Sequence, residues 1–161
     1  MITYRAAKFD DVEKIHKLLN DYAKAGLMLP RSRNAIYENL RDYVVAMRGS
    51  HLVGCGALHF VWDRLAEIRS LAVDPELKCT GIGRQIVELL ENEGIERGVK
   101  MFFTLTYQPG FFAKCNYIET AKEKLPQKVW KECVYCPQYP YCSEIAFVKT
   151  TVDYQPGDIM F

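Results

Sequence analysis

The segment Ser70-Leu71-Ala72-Val73-Asp74-Pro75-Glu76-Leu77-Lys78-Cys79-Thr80-Gly81-Ile82-Gly83 constrains the fold of this chain more than any other stretch. Ala66 to Val73 has strand character, and Asp74-Pro75 stops it. The glycines then open a helix on which Ile82, Ile86, Leu89, Leu90 and Ile95 fall on one broad apolar face. Gly98 marks the end of that helix. Glycine permits unusual φ and close backbone approach. The first turn of a helix offers unpaired N–H donors and the positive end of its dipole. Together these make an anion site suited to a pyrophosphate, with Lys78 and Arg84 adding charge at the rim. A dinucleotide fingerprint needs a third glycine where Ile86 stands, and a Walker loop needs Lys where Arg84 follows Gly83.

The flanking pattern extends this to a mixed α/β domain. Ile2 to Ala6 reads as a strand. Asp10 or Asp11 is placed to cap a helix running to about Ala25, with Val12, Ile15, Leu18, Leu19 and Tyr22 at helical spacing. A second helix is expected from Asn34 to Asp42, beyond Pro30. Tyr43 to Met47 and Leu52 to Trp62 read as strands joined at Arg48-Gly49-Ser50. Met101 to Thr106 is a strand, Gly110 to Cys115 a short helix, and Ser143 to Thr151 a last strand. The Pro-, Cys- and aromatic-rich stretch before that last strand has no clear period. The expectation is one domain over residues 1–150, a central sheet flanked by helices, with residues 151–161 as a C-terminal tail.

At 161 residues and net charge +1, the chain suits one domain and carries no electrostatic footprint for nucleic acid. Its apolar runs fall short of a membrane span, and Met1-Ile2-Thr3-Tyr4-Arg5 lacks a signal peptide's apolar region, so the default compartment is the cytoplasm. A homodimer is the commonest soluble assembly. Of six cysteines, Cys133, Cys136 and Cys142 form one group with the opening spacing of a zinc knuckle. A closed zinc site needs four ligands and the group supplies three, so no metal is the expectation; a fourth ligand brought by the fold from Cys115, His51, His59 or His16, reduced thiols, and pairing of Cys133 with Cys136 stay open.

The order of elements and the glycine loop resemble the GNAT superfamily of N-acetyltransferases, whose signature is Arg/Gln-x-x-Gly-x-Gly/Ala after the fourth strand. Here it reads Lys78-x-x-Gly81-x-Gly83, with Lys for the usual Arg or Gln and Cys79 where many members have Gly. The resemblance implies a GNAT-like fold. It implies acetyl-CoA bound by the amides of Cys79, Thr80, Gly81, Ile82, Gly83 and Arg84, with pantetheine along Leu71, Ala72 and Val73. Further segments are similar to the short, single-domain N-acetylglutamate synthases. They are Leu29-Pro30-Arg31-Ser32, Ala66-Glu67-Ile68-Arg69-Ser70-Leu71-Ala72-Val73, Leu105-Thr106-Tyr107-Gln108, Phe111-Phe112-Ala113-Lys114 and Leu125-Pro126-Gln127-Lys128-Val129-Trp130, followed by the cysteine group and Ser143-Glu144-Ile145-Ala146. This likeness runs to about Lys149 and implies acetylation of the α-amino group of glutamate, the reaction that opens arginine biosynthesis.

Glutamate carries two carboxylates, so its pocket should offer fixed cations, and arginine grips a carboxylate with two parallel hydrogen bonds. The candidates are Arg31, whose Arg-Ser-Arg setting resembles the substrate segment of the longer synthases, then Arg33, Arg69 and Lys128. A solvated surface charge is the alternative for each. Acetyl transfer needs a neutral amine, hence a proton acceptor. Glu67, a carboxylate inside an apolar strand, reads as that base or as a structural partner of Arg69. A backbone N–H on the Leu71–Val73 strand would serve the developing oxyanion. Many relatives have a tyrosine acid where Phe112 stands; Phe112 then reads as a wall beside the cofactor, and Tyr107 as a substitute acid or a packed tyrosine. Two other functions stay open: a GNAT enzyme for another small amine, and a non-catalytic acetyl-CoA-binding regulatory module.

Overall fold

The computed structural model describes residues 1–125 and 144–159. Strand β1 (Thr3–Ala6) leads through a 3-10 turn at Phe9–Asp11 into helix α1 (Val12–Lys24). Asp11 does not cap α1 with its side chain, contrary to expectation. Its carboxylate turns back to accept from the Lys8 N–H at 2.7 Å and pairs with Arg5 at 2.7 Å. Helix α2 (Arg33–Glu38) is shorter than expected, because the Asn34–Asp42 stretch closes as a 3-10 turn at Leu40–Asp42. Its cap is Ser32, whose hydroxyl accepts from the Ala35 N–H at 3.1 Å.

Strands β2 (Tyr43–Arg48), β3 (His51–Trp62) and β4 (Leu65–Val73) follow, then helix α3 (Ile82–Glu96), β5 (Met101–Thr106), α4 (Pro109–Lys114), β6 (Ile118–Thr120) and β7 (Ile145–Thr150). Among the described residues seven strands form one mixed sheet in the order β1-β2-β3-β4-β5-β7-β6. β4 and β5 run parallel, with Leu65, Ala66 and Glu67 opposite Met101, Phe102 and Phe103. β6, absent from the sequence reading, pairs antiparallel with β7. Its three residues, two exposed and one half-buried, are too few to carry a period. Among the described residues no helix is long and apolar enough to cross a membrane.

The chain forms two compact units, Met1–His59 with Ile68–Glu93 and Phe60–Glu67 with Gly94–Phe161. In the first, Val12, Ile15, Leu19 and Tyr22 of α1 and Ile36 of α2 pack with Tyr43, Val45, Met47, Cys55 and Ala57. α3 packs on β3 through glycine: a Cβ at Gly56 would stand 2.7 Å from Ile86 Cγ2, and one at Gly54 3.1 Å from Ile82 Cγ2. Ile95, expected on the apolar face of α3, is 52% exposed, and Val87 is buried instead. In the second unit Leu65, Phe103, Leu125, Ala146 and Ile159 form the buried core. Ile159 lies in the expected tail, and the Thr151 N–H donates to Lys100 O at 2.9 Å.

Candidate active site

The loop between β4 and α3 is built by its own backbone. The Asp74 carboxylate accepts from the Glu76 N–H at 3.0 Å, and Pro75 starts a 3-10 turn at Pro75–Leu77. Cys79 and Gly81 take the left-handed conformation, at φ 63 and φ 93. A Cβ on Gly81 would meet nothing within 4 Å, so φ rather than crowding selects glycine there. The first helical bond of α3 runs from Gln85 N–H to Gly81 O at 3.0 Å. The amides of Ile82, Gly83 and Arg84 therefore precede the intrahelical ladder, as an anion site requires. Lys78, Cys79, Thr80, Gly81 and Arg84 are exposed, while Ile82 and Gly83 are buried and anchor the helix.

β4 delivers Leu71, Ala72 and Val73 to this loop, and here a residue overlooked in the sequence matters. The Tyr22 hydroxyl donates to Val73 O at 2.6 Å and accepts from the Val73 N–H at 3.1 Å. One phenol thus fills both backbone positions that a neighbouring strand would fill. Burial pushes the Tyr22 phenol above its ordinary pKa, so it remains a donor. Lys78 Nζ sits 5.3 Å from the Tyr22 ring centroid, a cation–π contact joining the first signature residue to α1. The oxyanion donor expected on residues 71–73 narrows accordingly, since the Val73 N–H is already engaged.

The arginine candidates separate. Arg33, exposed at the start of α2, makes two parallel bonds to Glu13 at 2.7 and 3.0 Å and is committed to that pair. Arg31 is half-buried, and among the described residues no hydrogen bond or ion pair holds it. Burial raises the Tyr43 phenol above its ordinary pKa, and its bond to Ser70 and, more weakly, the charges of Arg31 and Arg69 oppose the rise. The Tyr43 hydroxyl donates to Ser70 Oγ at 3.2 Å. Ser70 stands in mid-strand at φ 56, and its carbonyl accepts from the Cys55 thiol at 3.4 Å. Burial pushes that thiol up to about 12, so it stays protonated. Next to Tyr43, Asp42 pairs with His59 Nδ1 at 2.7 Å and pins the start of β2 to β3. Tyr43 and Ser70 were not singled out in the sequence, because a non-glycine residue at positive φ leaves no mark in composition or period.

In the second unit Glu67 is half-buried on β4, opposite Phe103. Tyr107 is half-buried between β5 and α4, beside a turn in which the Gln108 N–H donates to Thr106 Oγ1 at 2.8 Å. Phe112 is 4% exposed and packs edge-on against Phe111 and Tyr117, with centroids 5.1 and 5.3 Å apart. Lys128, Cys133, Cys136 and Cys142 lie outside the described residues.

Residues 12–117 match the acetyltransferase (GNAT) family. The chain belongs to this family. It is an acyltransferase, and acetyl-CoA is its acetyl donor. An uncharacterized N-acetyltransferase of Chlorobaculum tepidum is 44% identical over 146 residues, covering 91% of this chain and 94% of that protein. An amino-acid acetyltransferase of Mycobacterium tuberculosis is 34% identical over 131 residues, covering 80% of this chain and 75% of that one. A Mycobacterium tuberculosis protein solved in complex with CoA superposes with a TM-score of 0.81 at 27% identity, over 93% of this chain and 99% of that one. The N-acetylglutamate synthase of Neisseria gonorrhoeae, solved with coenzyme A and N-acetyl-glutamate, has the same fold: TM-score 0.84 at 22% identity, over 93% of this chain and 35% of that one.

Proposed function

We propose that this GNAT enzyme transfers the acetyl group of acetyl-CoA to the α-amino group of L-glutamate. The observation that carries the acceptor is Arg31, half-buried and without a carboxylate partner among the described residues, while Arg33 two positions on is committed to Glu13. A half-buried guanidinium without an ion-pair partner has donors to offer, and a substrate carboxylate would take them up. Arg69 adds a second positive charge around Tyr43. The names of relatives agree with an amino-acid acceptor: one is an amino-acid acetyltransferase, and a protein of the same fold was solved with N-acetyl-glutamate.

The residues of the loop fit the donor. In this reading the amides of residues 79–84 and the dipole of α3 hold the pyrophosphate, with Lys78 moving from the Tyr22 ring to its rim. Leu71 hydrogen-bonds the pantetheine arm and donates its N–H to the developing oxyanion, the Val73 N–H being held by Tyr22. Glu67 accepts a proton from the substrate ammonium, the amine attacks the thioester carbon, the nitrogen gives up its second proton to solvent as the C–S bond breaks, and Tyr107 protonates the departing thiolate.

The decisive experiment is thiol release from acetyl-CoA with each common amino acid in turn, followed by kcat/KM for glutamate and glutamine in the parent and in Arg31→Ala. These two acceptors are nearly isosteric and differ in side-chain charge. The parent prefers glutamate, and Arg31→Ala erases the preference at a cost on the order of 2–5 kcal/mol of transition-state binding. Equal damage to both acceptors would move Arg31 to the α-carboxylate; undiminished rates would remove it from the site. Tight acetyl-CoA binding with no turnover on any amine would favour a regulatory module instead.

A further inference from the structure

We propose that the Tyr43 hydroxyl is the neutral hydrogen-bond donor of the acceptor site, a specificity-determining contact to the carboxylate that Arg31 holds. This rests on the reading of Arg31 as an acceptor-binding residue and adds to it a side chain from the head of β2. Tyr43 is 4% exposed, and its hydroxyl donates to Ser70 Oγ at 3.2 Å. Hydroxyl-to-oxygen bonds cluster near 2.7–2.8 Å, so this is a long and weak one. A carboxylate oxygen would be a better acceptor, because bonds to ionised groups are shorter and roughly twice as strong. The phenol therefore gains by turning from Ser70 to an entering anion.

Two independent features surround that hydroxyl. Ser70 is held in the left-handed region in the middle of β4, φ 56, a conformation that is costly for serine and that concentrates at ligand sites. Its carbonyl is held by the Cys55 thiol, which is fully buried, so the strained residue is fixed independently of Tyr43. The charge of Arg31, which no carboxylate among the described residues pairs with, also reaches the Tyr43 phenol. Burial keeps the phenol protonated against the pull of that charge. The result is a donor without charge within reach of the Arg31 charge, which can complete the hydrogen bonding of a carboxylate without adding another cation.

The test is calorimetric titration of glutarate, a dicarboxylate with no amine, into the full chain saturated with CoA, for the parent and for Tyr43→Phe. Loss of the hydroxyl should weaken glutarate binding roughly 10-fold or more and raise the glutamate KM by a similar factor, with CoA affinity and melting temperature unchanged. Unchanged glutarate affinity in Tyr43→Phe would overturn the proposal, as would a parent that does not bind glutarate. A parallel loss of CoA affinity would assign Tyr43 to the fold and overturn it too. If glutarate binding depends on Tyr43 but no amino acid is acetylated, the carboxylate contact stands and the glutamate reading falls. If glutamate is acetylated and glutarate ignores the substitution, the Tyr43 proposal alone falls.

Discussion

Asp11 shows one carboxylate committed to structure. Arg5, and then the Lys8 N–H, hold it below the ordinary aspartate range against the opposing effect of burial. Because the folded value is depressed, the stabilisation is complete above the unfolded pKa of about 3.9 and is lost as pH falls through the folded value. Asp11→Asn should therefore flatten the acid limb of a stability-versus-pH curve, measured by urea unfolding between neutral and acid pH. Tyr22 makes a different commitment. Tyr22→Phe removes the partner of both the Val73 N–H and the Val73 C=O, and should lower unfolding free energy by about 1–3 kcal/mol. A Tyr22→Phe chain as stable as the parent in denaturant would mean that water or another group takes over both positions.

At the scale of the element, the close approach of α3 to β3 sets where the helix N-terminus sits. Gly56→Ala would put a methyl 2.7 Å from Ile86 Cγ2, a branched atom next to the helix backbone that cannot swing away. Overpacking of this kind costs about 1–3 kcal/mol, and the helix shift that relieves it should also weaken acetyl-CoA binding. Melting curves and calorimetry on Gly56→Ala read the two effects separately. Gly81→Val acts on the loop alone. Space is open around Gly81, but valine at φ 93 is a backbone outlier, so the loop must rearrange. Acetyl-CoA affinity should fall roughly 10-fold or more, in line with the 1–3 kcal/mol stored in such conformations; unchanged affinity in a folded Gly81→Val chain would move the cofactor site away from this loop.

For the whole molecule, ligand binding and stability are linked. Acetyl-CoA at about 100 times its Kd should raise the unfolding free energy by ~2.7 kcal/mol. For a chain of this length that is a rise of roughly 5–11 °C in melting temperature. Gly81→Val at the same ligand concentration should show a clearly smaller rise, and differential scanning fluorimetry compares the two directly.

Much of this was legible from local pattern. Helical spacing in α1, strand character from Tyr43 to Val73, and two glycines opening α3 each depend on neighbours in sequence, and those neighbours carried the fold and the glycine loop. Partnerships at long range were not legible. Arg31 and Arg33 stand in one Arg-Ser-Arg run that names no partner for either, yet Glu13, twenty residues away, takes Arg33. Tyr43 and Tyr22 look like ordinary core aromatics, yet their hydroxyls meet Ser70 and Val73 at separations of 27 and 51 residues. Period and propensity determined which elements form, because those are properties of a local chain. Which charge is neutralised, which hydroxyl is engaged and which backbone amide is already bound were decided by the tertiary structure, because only packing chooses among partners that the chain keeps far apart.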